Sequence, residues 1–92
     1  MIGVKIMIKM KPTYQNGQIT HEILAENLVV YFEDGTIKAI GPYQNDQMQG
    51  SWKFYKKEGF LWQTAHFFND EKAGEWIRYD KDGKIVYHEI FK

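Results

Sequence analysis

The sequence predicts an all-β fold: a single elongated, twisted antiparallel meander of about seven strands, built from tandem β-hairpins of ~24 residues. Three observations carry that reading. Gly35, Gly59 and Gly83 recur 24 residues apart, with Tyr31, Tyr55 and Tyr79 four residues before them and Tyr43, Phe67 and Phe91 eight after. Aromatic residues make up 16% of the chain while leucine is confined to Leu24, Leu28 and Leu61; rings and β-branched side chains fit a pleated surface. Polar runs ending in glycine (YFEDG, YKKEG and YDKDG) separate the aromatic segments. Glycine takes the positive φ that tight turns between strands need.

From the N-terminus, a first strand is expected over roughly 4–14, where Lys5, Lys9 and Lys11 break up the apolar residues. Residues 20–26 suit a short helix, capped by Thr20 with Ile23 and Leu24 facing inwards, or equally a strand or an extended loop. Strands follow at about 27–32, 36–43, 51–56, 60–68, 75–80 and 84–91, and include the aromatic segments GSWKFY and GEWIRY. The runs NDQMQG and NDEKAG turn one hairpin into the next. Gly50 matches Gly74 and Trp52 matches Trp76 at the same 24-residue step, and Leu28 fills the slot one unit earlier. Leu28, Trp52 and Trp76 are therefore expected in a row across one face, where cross-strand aromatic pairs stabilise a sheet.

The chain divides as one domain over 1–92, with an irregular first unit (4–32), repeats at 33–56 and 57–80, and a final strand within 81–92. The segment IKMKPTYQNG (8–17) aligns with IKAIGPYQND (37–46) at a separation of 29, which places five extra residues between Gly17 and Leu28.

The spacing of Asn45, Gly50, Trp52, Tyr55, Gly59 and Leu61 resembles the MORN repeat variant found in many bacterial proteins. The resemblance is close over 27–92 and weak over 8–17. It implies tandem hairpins in one elongated sheet and a binding or scaffolding role, and some bacterial members carry an antitoxin label. Two departures matter. Asp46 and Asp70 stand where the family often has glycine, and Arg78 takes the slot of Phe54.

Alternation along 60–68 puts Leu61, Ala65 and Phe67 on the repeated side and Phe60, Trp62, His66 and Phe68 on the other. Matching places in neighbouring units hold Thr36 and Lys38, or Lys84 and Val86, so the repeat does not demand this cluster. It packs under the N-terminal strand or the insertion, or it forms a partner-binding or dimerising patch, since exposed aromatic clusters mark interfaces. The edges at 84–91 and 4–11 offer further pairing surfaces, the second blunted by Lys5, Lys9 and Lys11.

Reactive chemistry finds no nominee. Twelve basic and twelve acidic side chains cancel, which argues against nucleic acid as a partner. No cysteine is present for disulfides or thiolate metal sites. Asp80, Asp82, Gly83 and Glu89 fall on EF-hand spacing, but Arg78 occupies the first ligand position, so the run reads as a turn. His66 and His88, with Glu89 or Asp70, are the only candidate beginnings of a metal site, and they occupy different repeat slots. Ser51 is the single serine, and its slot in the next unit holds Glu75. Lys56 and Lys57 fall short of the basic cluster that anionic lipid headgroups call for. No signal peptide and no membrane-length apolar run is evident, which points to a cytoplasmic protein. The sequence reading is a non-enzymatic module without cofactor that binds another protein or its own copy. An antitoxin-like regulator of a cognate toxin is the alternative, followed by a metal-dependent or lipid-binding protein.

Overall fold

The computed structural model describes residues 11–92. Eight strands form one open antiparallel sheet: β1 (His21–Leu24), β2 (Asn27–Tyr31), β3 (Ile37–Gln44), β4 (Gln47–Met48), β5 (Gly50–Tyr55), β6 (Leu61–Phe68), β7 (Glu71–Tyr79) and β8 (Ile85–Phe91). They lie in the order β1-β2-β3-β5-β6-β7-β8, with β4 paired to β3. β4 and β5 are one strand interrupted at Gln49. Their pairings Tyr43↔Met48 and Ala39↔Phe54 recur one repeat on as Phe67↔Lys72 and Gln63↔Arg78 along the unbroken β7. The meander path therefore has the seven strands that the period predicts.

The N-terminal end differs from expectation. Residues 4–10 of the expected first strand, with Lys5 and Lys9, lie outside the described residues; over 11–14 only the bridge Thr13↔Ile19 forms. Of the readings left open for residues 20–26, the strand forms: they make β1 and a tight turn, and no helix. Thr20 is buried and its hydroxyl donates to the Lys11 carbonyl at 2.7 Å, so it caps nothing. Ile23 and Leu24, expected to face inwards, are 52% and 50% exposed because β1 lies at the rim of the sheet.

The turns explain the period. At Gly35 the glycine amide donates to the Phe32 carbonyl (3.0 Å) and the Phe32 amide donates to the Thr36 carbonyl (2.8 Å). The same two bonds recur around Gly59 between Lys56 and Phe60, and around Gly83 between Asp80 and Lys84. They recur a fourth time at Gly17, between Tyr14 and Gln18. The Thr13↔Ile19 bridge is likewise the counterpart of Tyr31↔Ile37, Tyr55↔Leu61 and Tyr79↔Ile85. Asn16 accepts from the Gln18 amide just as Asp34 accepts from the Thr36 amide, both at 3.0 Å. Gly17 is thus the structural partner of Gly35, not of Asp46, and lies 18 residues before it. The first unit is six residues shorter than the 24-residue repeat, and the expected five-residue insertion is not there.

The second kind of turn is left-handed without glycine. Asn45 and Asp46 have φ of 53° and 62°, and Asn69 and Asp70 have 50° and 72°. Two successive positive-φ residues form the type I′ hairpin turn, whose twist matches that of the flanking strands. Asn and Asp tolerate this region better than other side chains because they bond locally. Side chains also stitch the later turn to the previous hairpin. Asp70 Oδ1 accepts from the Met48 amide at 2.6 Å, and Asn69 exchanges bonds with the Gln49 side chain.

The core is a row of rings on one face. Leu28 and Trp52 are fully buried, and Val30, Ala39 and Met48 pack with them against Tyr43, Phe54 and Phe67. Centroid distances run Trp52–Phe67 6.3 Å, Phe67–Trp76 5.3 Å and Trp76–Phe91 5.6 Å, all edge-on. Such pairs contribute about 0.5–1.5 kcal/mol each beyond the area they bury. Each indole is also anchored: Trp52 Nε1 donates to the Pro42 carbonyl (2.9 Å) and Trp76 Nε1 to the His66 carbonyl (3.0 Å), at repeat-equivalent positions. Gly41 lies directly beneath the Trp52 ring, where an added Cβ would sit 2.2 Å from the indole Cγ.

Gly41→Ala is therefore expected to cost at least the ~3 kcal/mol at the top of the usual overpacking range. Ala65→Gly, at the matching slot one repeat on, is expected to cost only about 0.5–1 kcal/mol. Urea midpoints compare the two, and tryptophan emission reports displacement of the Trp52 ring in the first alone.

Candidate functional site

The ring row serves the fold, so the binding candidates are what it leaves outside. The four residues singled out from sequence fare differently. Phe60 is half-buried just before β6, with its carbonyl accepting from the Lys56 amide. Trp62 is also half-buried: the Lys56 ammonium lies 4.4 Å from its ring centroid and the Arg78 guanidinium carbon 5.6 Å. His66 is exposed, and its Nδ1 donates to the Glu75 carbonyl at 3.2 Å. Phe68 is 67% exposed at the end of β6.

The place of Trp62 has a counterpart that the sequence comparison missed. Lys38 Nζ lies 5.8 Å from the Phe32 ring, and Phe32 and Lys38 are the repeat equivalents of Lys56 and Trp62. Cation and ring have traded ends across the hairpin. A position-by-position comparison therefore sees unrelated residues where the contact is the same. Such contacts are worth about 0.5–1 kcal/mol at exposed sites. Arg78, in the slot of Phe54, continues the apolar surface in another way. It donates to Gln63 Oε1 at 2.8 Å and lays its guanidinium 5.0 Å from the Tyr87 ring.

The two histidines of the metal reading converge on one residue. His88 Nε2 lies 2.8 Å from Glu75 Oε2, while His66 meets only the Glu75 backbone. Glu89 accepts from the Tyr87 hydroxyl, and Asp70 is engaged with the Met48 amide. Asp80 Oδ1 accepts from the Asp82 and Lys84 amides at 2.9 Å, so this carboxylate closes its own turn. No group of three or more His, Asp or Glu positioned to hold a metal is found among the described residues.

Sequence reasoning named 84–91 as a pairing edge but did not single out the apolar side chains along β8. Ile85, Val86 and Ile90 are 60%, 64% and 65% exposed. Among the described residues this strand pairs only with β7, and its register shifts between Arg78 and Tyr79, where Val86 is the extra residue. A signal was present: IVYHEIF carries apolar residues at both odd and even positions, the pattern of a strand covered on both faces.

Residues 28–45 and 72–92 match the MORN repeat variant family model. Both segments are similar to the MORN repeat variant. The matched segments coincide with the β2–β3 and β7–β8 hairpins, and β4 to β6 repeat the same geometry between them. MORN repeats are in general non-enzymatic modules that mediate protein or membrane interaction. Neither a curated protein nor a solved structure matches the chain. Among the described residues, no helix is long and apolar enough to cross a membrane.

Tyr43 shows where this chain's repeats are imperfect. Its ring fills the slot of Phe67 and Phe91, but its hydroxyl is buried without a hydrogen-bond partner among the described residues. Burial first, and then the Asp46 and Asp70 charges, push its pKa above the ordinary tyrosine value. Removing an unpaired buried hydroxyl relieves a desolvation cost of about 1–3 kcal/mol. Tyr43→Phe is accordingly expected to raise the urea midpoint. A folded pKa above the unfolded one means that this group's contribution is complete below about pH 10 and fades as pH rises towards the folded value. The variant is thus expected to flatten part of the alkaline decline in stability, with Tyr31, raised mainly by its bond to Glu22, supplying the remainder.

Proposed function

We propose that the chain is a non-catalytic binding module whose working surface lies at the C-terminal end of its sheet. This surface comprises β8 together with Phe60, Trp62, His66 and Phe68. One observation supports this most: large apolar side chains are concentrated in the open there (Phe68, Ile85, Val86 and Ile90), while the equivalent region of the opposite face is closed by stacked rings. Leaving such side chains in water forgoes about 1.5–3 kcal/mol apiece relative to full burial, and a protein surface can recover that. The partner is another protein or a second copy of this chain. Nucleic acid finds no basic excess to bind, and lipid headgroups find no basic cluster.

Photo-crosslinking in native extract tests the location. With benzoylphenylalanine at position 68 or 90, protein adducts are expected. At Glu33 or Lys57, which are exposed in turns away from that surface, none are expected. Equal labelling at all four positions, or none at 68 and 90, would refute the assignment.

A further inference from the structure

We infer that the end of one side-chain row on the ring face is a carboxylate-binding site, in which Arg78 and Lys56 take an Asp or Glu side chain from an acidic segment of a partner protein. This rests on the reading of the C-terminal end as the working surface and names the chemistry that surface recognises. The pairings Val30↔Ala39, Ala39↔Phe54, Phe54↔Gln63, Gln63↔Arg78 and Arg78↔Tyr87 cross the sheet in one line. Directly opposed residues share a face. The line begins apolar: Val30 and Ala39 are buried, and Phe54 packs against the core. From Gln63 onwards it turns polar, although Phe54 and Val30 hold the slot of Arg78 one and two repeats earlier. The fold therefore does not need a cation there.

The neighbours of Arg78 hold its guanidinium in one orientation. Gln63 is only 6% exposed, and its Oε1 accepts from Arg78 Nε at 2.8 Å. The Tyr87 ring on β8 lies 5.0 Å from the guanidinium carbon and the Trp62 ring on β6 5.6 Å, so both adjacent strands contribute a ring. Trp62 is the extra residue where the register shifts between Phe54 and Tyr55, and a bulge of this kind re-aims a side chain. With Nε engaged, the two Nη groups remain to donate, and that fork matches a carboxylate. Lys56 brings a second cation to the same Trp62 ring, at 4.4 Å. Among the described residues neither cation has a counter-ion: the ion pair found there joins His88 to Glu75. Residues 1–10 contain no Asp or Glu to supply one. Glu89 accepts instead from the Tyr87 hydroxyl. Two cations beside one ring repel each other, and a carboxylate between them removes that cost. A protein carboxylate fits this site better than a phosphate-rich partner does, because two cations fall short of the four that anionic headgroups call for. A chain of zero net charge also offers a polyanion no long-range attraction.

Titration of isotope-labelled protein with tri-glutamate, followed by NMR at about 0.15 M ionic strength, tests the site. The chain has three tryptophans, so each indole N–H reports separately. The Trp62 signal is expected to shift saturably with tri-glutamate and not with tri-glutamine. That of Trp52, buried and bonded to the Pro42 carbonyl, is expected to stay in place. Arg78→Phe follows the choice the repeat makes at position 54, so the fold is kept while the charged hydrogen bonds are lost. It is expected to weaken binding at least about tenfold. Arg78→Lys keeps the charge without the fork and is expected to weaken it less. Lys72→Gln, at the far end of β7, is expected to change nothing. Equal shifts with both peptides, or parental affinity in Arg78→Phe, would overturn the proposal. A stronger Trp62 response to inorganic phosphate or to phosphatidylserine vesicles would overturn it as well. Crosslinking from positions 68 and 90 separates this site from the surface it rests on. Adducts that persist undiminished in Arg78→Phe remove the carboxylate site and leave the surface standing. Adducts absent from the parent, with Trp62 still answering tri-glutamate, remove the surface and leave the site.

Discussion

The structure depends on one recurring interaction: an indole lying flat against the neighbouring strand, with its N–H held by a carbonyl of that strand and its ring edge-on to the next aromatic. At Trp52 this requires a bare backbone beneath the ring, which Gly41 supplies. At Trp76 the same bond runs to His66, one repeat on from Pro42. An isolated hairpin buries too little apolar surface to persist in water. The row of rings converts several such hairpins into one cooperative unit, because Phe67 packs edge-on against tryptophans from both of its neighbouring strands.

The turns accept local backbone cost so that the row can form. Asn45, Asp46, Asn69 and Asp70 all occupy left-handed conformations that disfavour side chains. The benefit is register. A two-residue turn fixes which residue faces which, and a slip by one would move every ring to the wrong face. At Asn69 and Asp70 the polar side chains are used further, bonding back to Met48 and Gln49 and so tying one hairpin to the preceding one. This explains why Asp serves where glycine would be the simpler choice.

Among the described strands, β8 is built like the interior ones. β8 keeps the register of β6, with Trp76↔Glu89 matching Trp52↔Ala65. Glu89 stands where the earlier repeats place Gly41 and Ala65 under the next indole. Two of the chain's hairpins are similar to the MORN repeat variant, whose members are in general interaction modules.

The sequence by itself determined the period, the turn glycines, the strand count along the meander and the shared face of Leu28, Trp52 and Trp76. These are set by local pattern: alternation, glycine at positive φ, and identical residues at identical spacing. Only the tertiary structure decided what pairs across strands. The short first unit was hidden because Gly17 shares its hydrogen bonds with Gly35 but little of its surrounding sequence. The contact of Lys56 with Trp62 was hidden because Phe32 and Lys38 make it with the roles reversed. The exposure of Ile85, Val86 and Ile90 depends on what packs against β8, and that is a property of the assembled strands rather than of any residue in them.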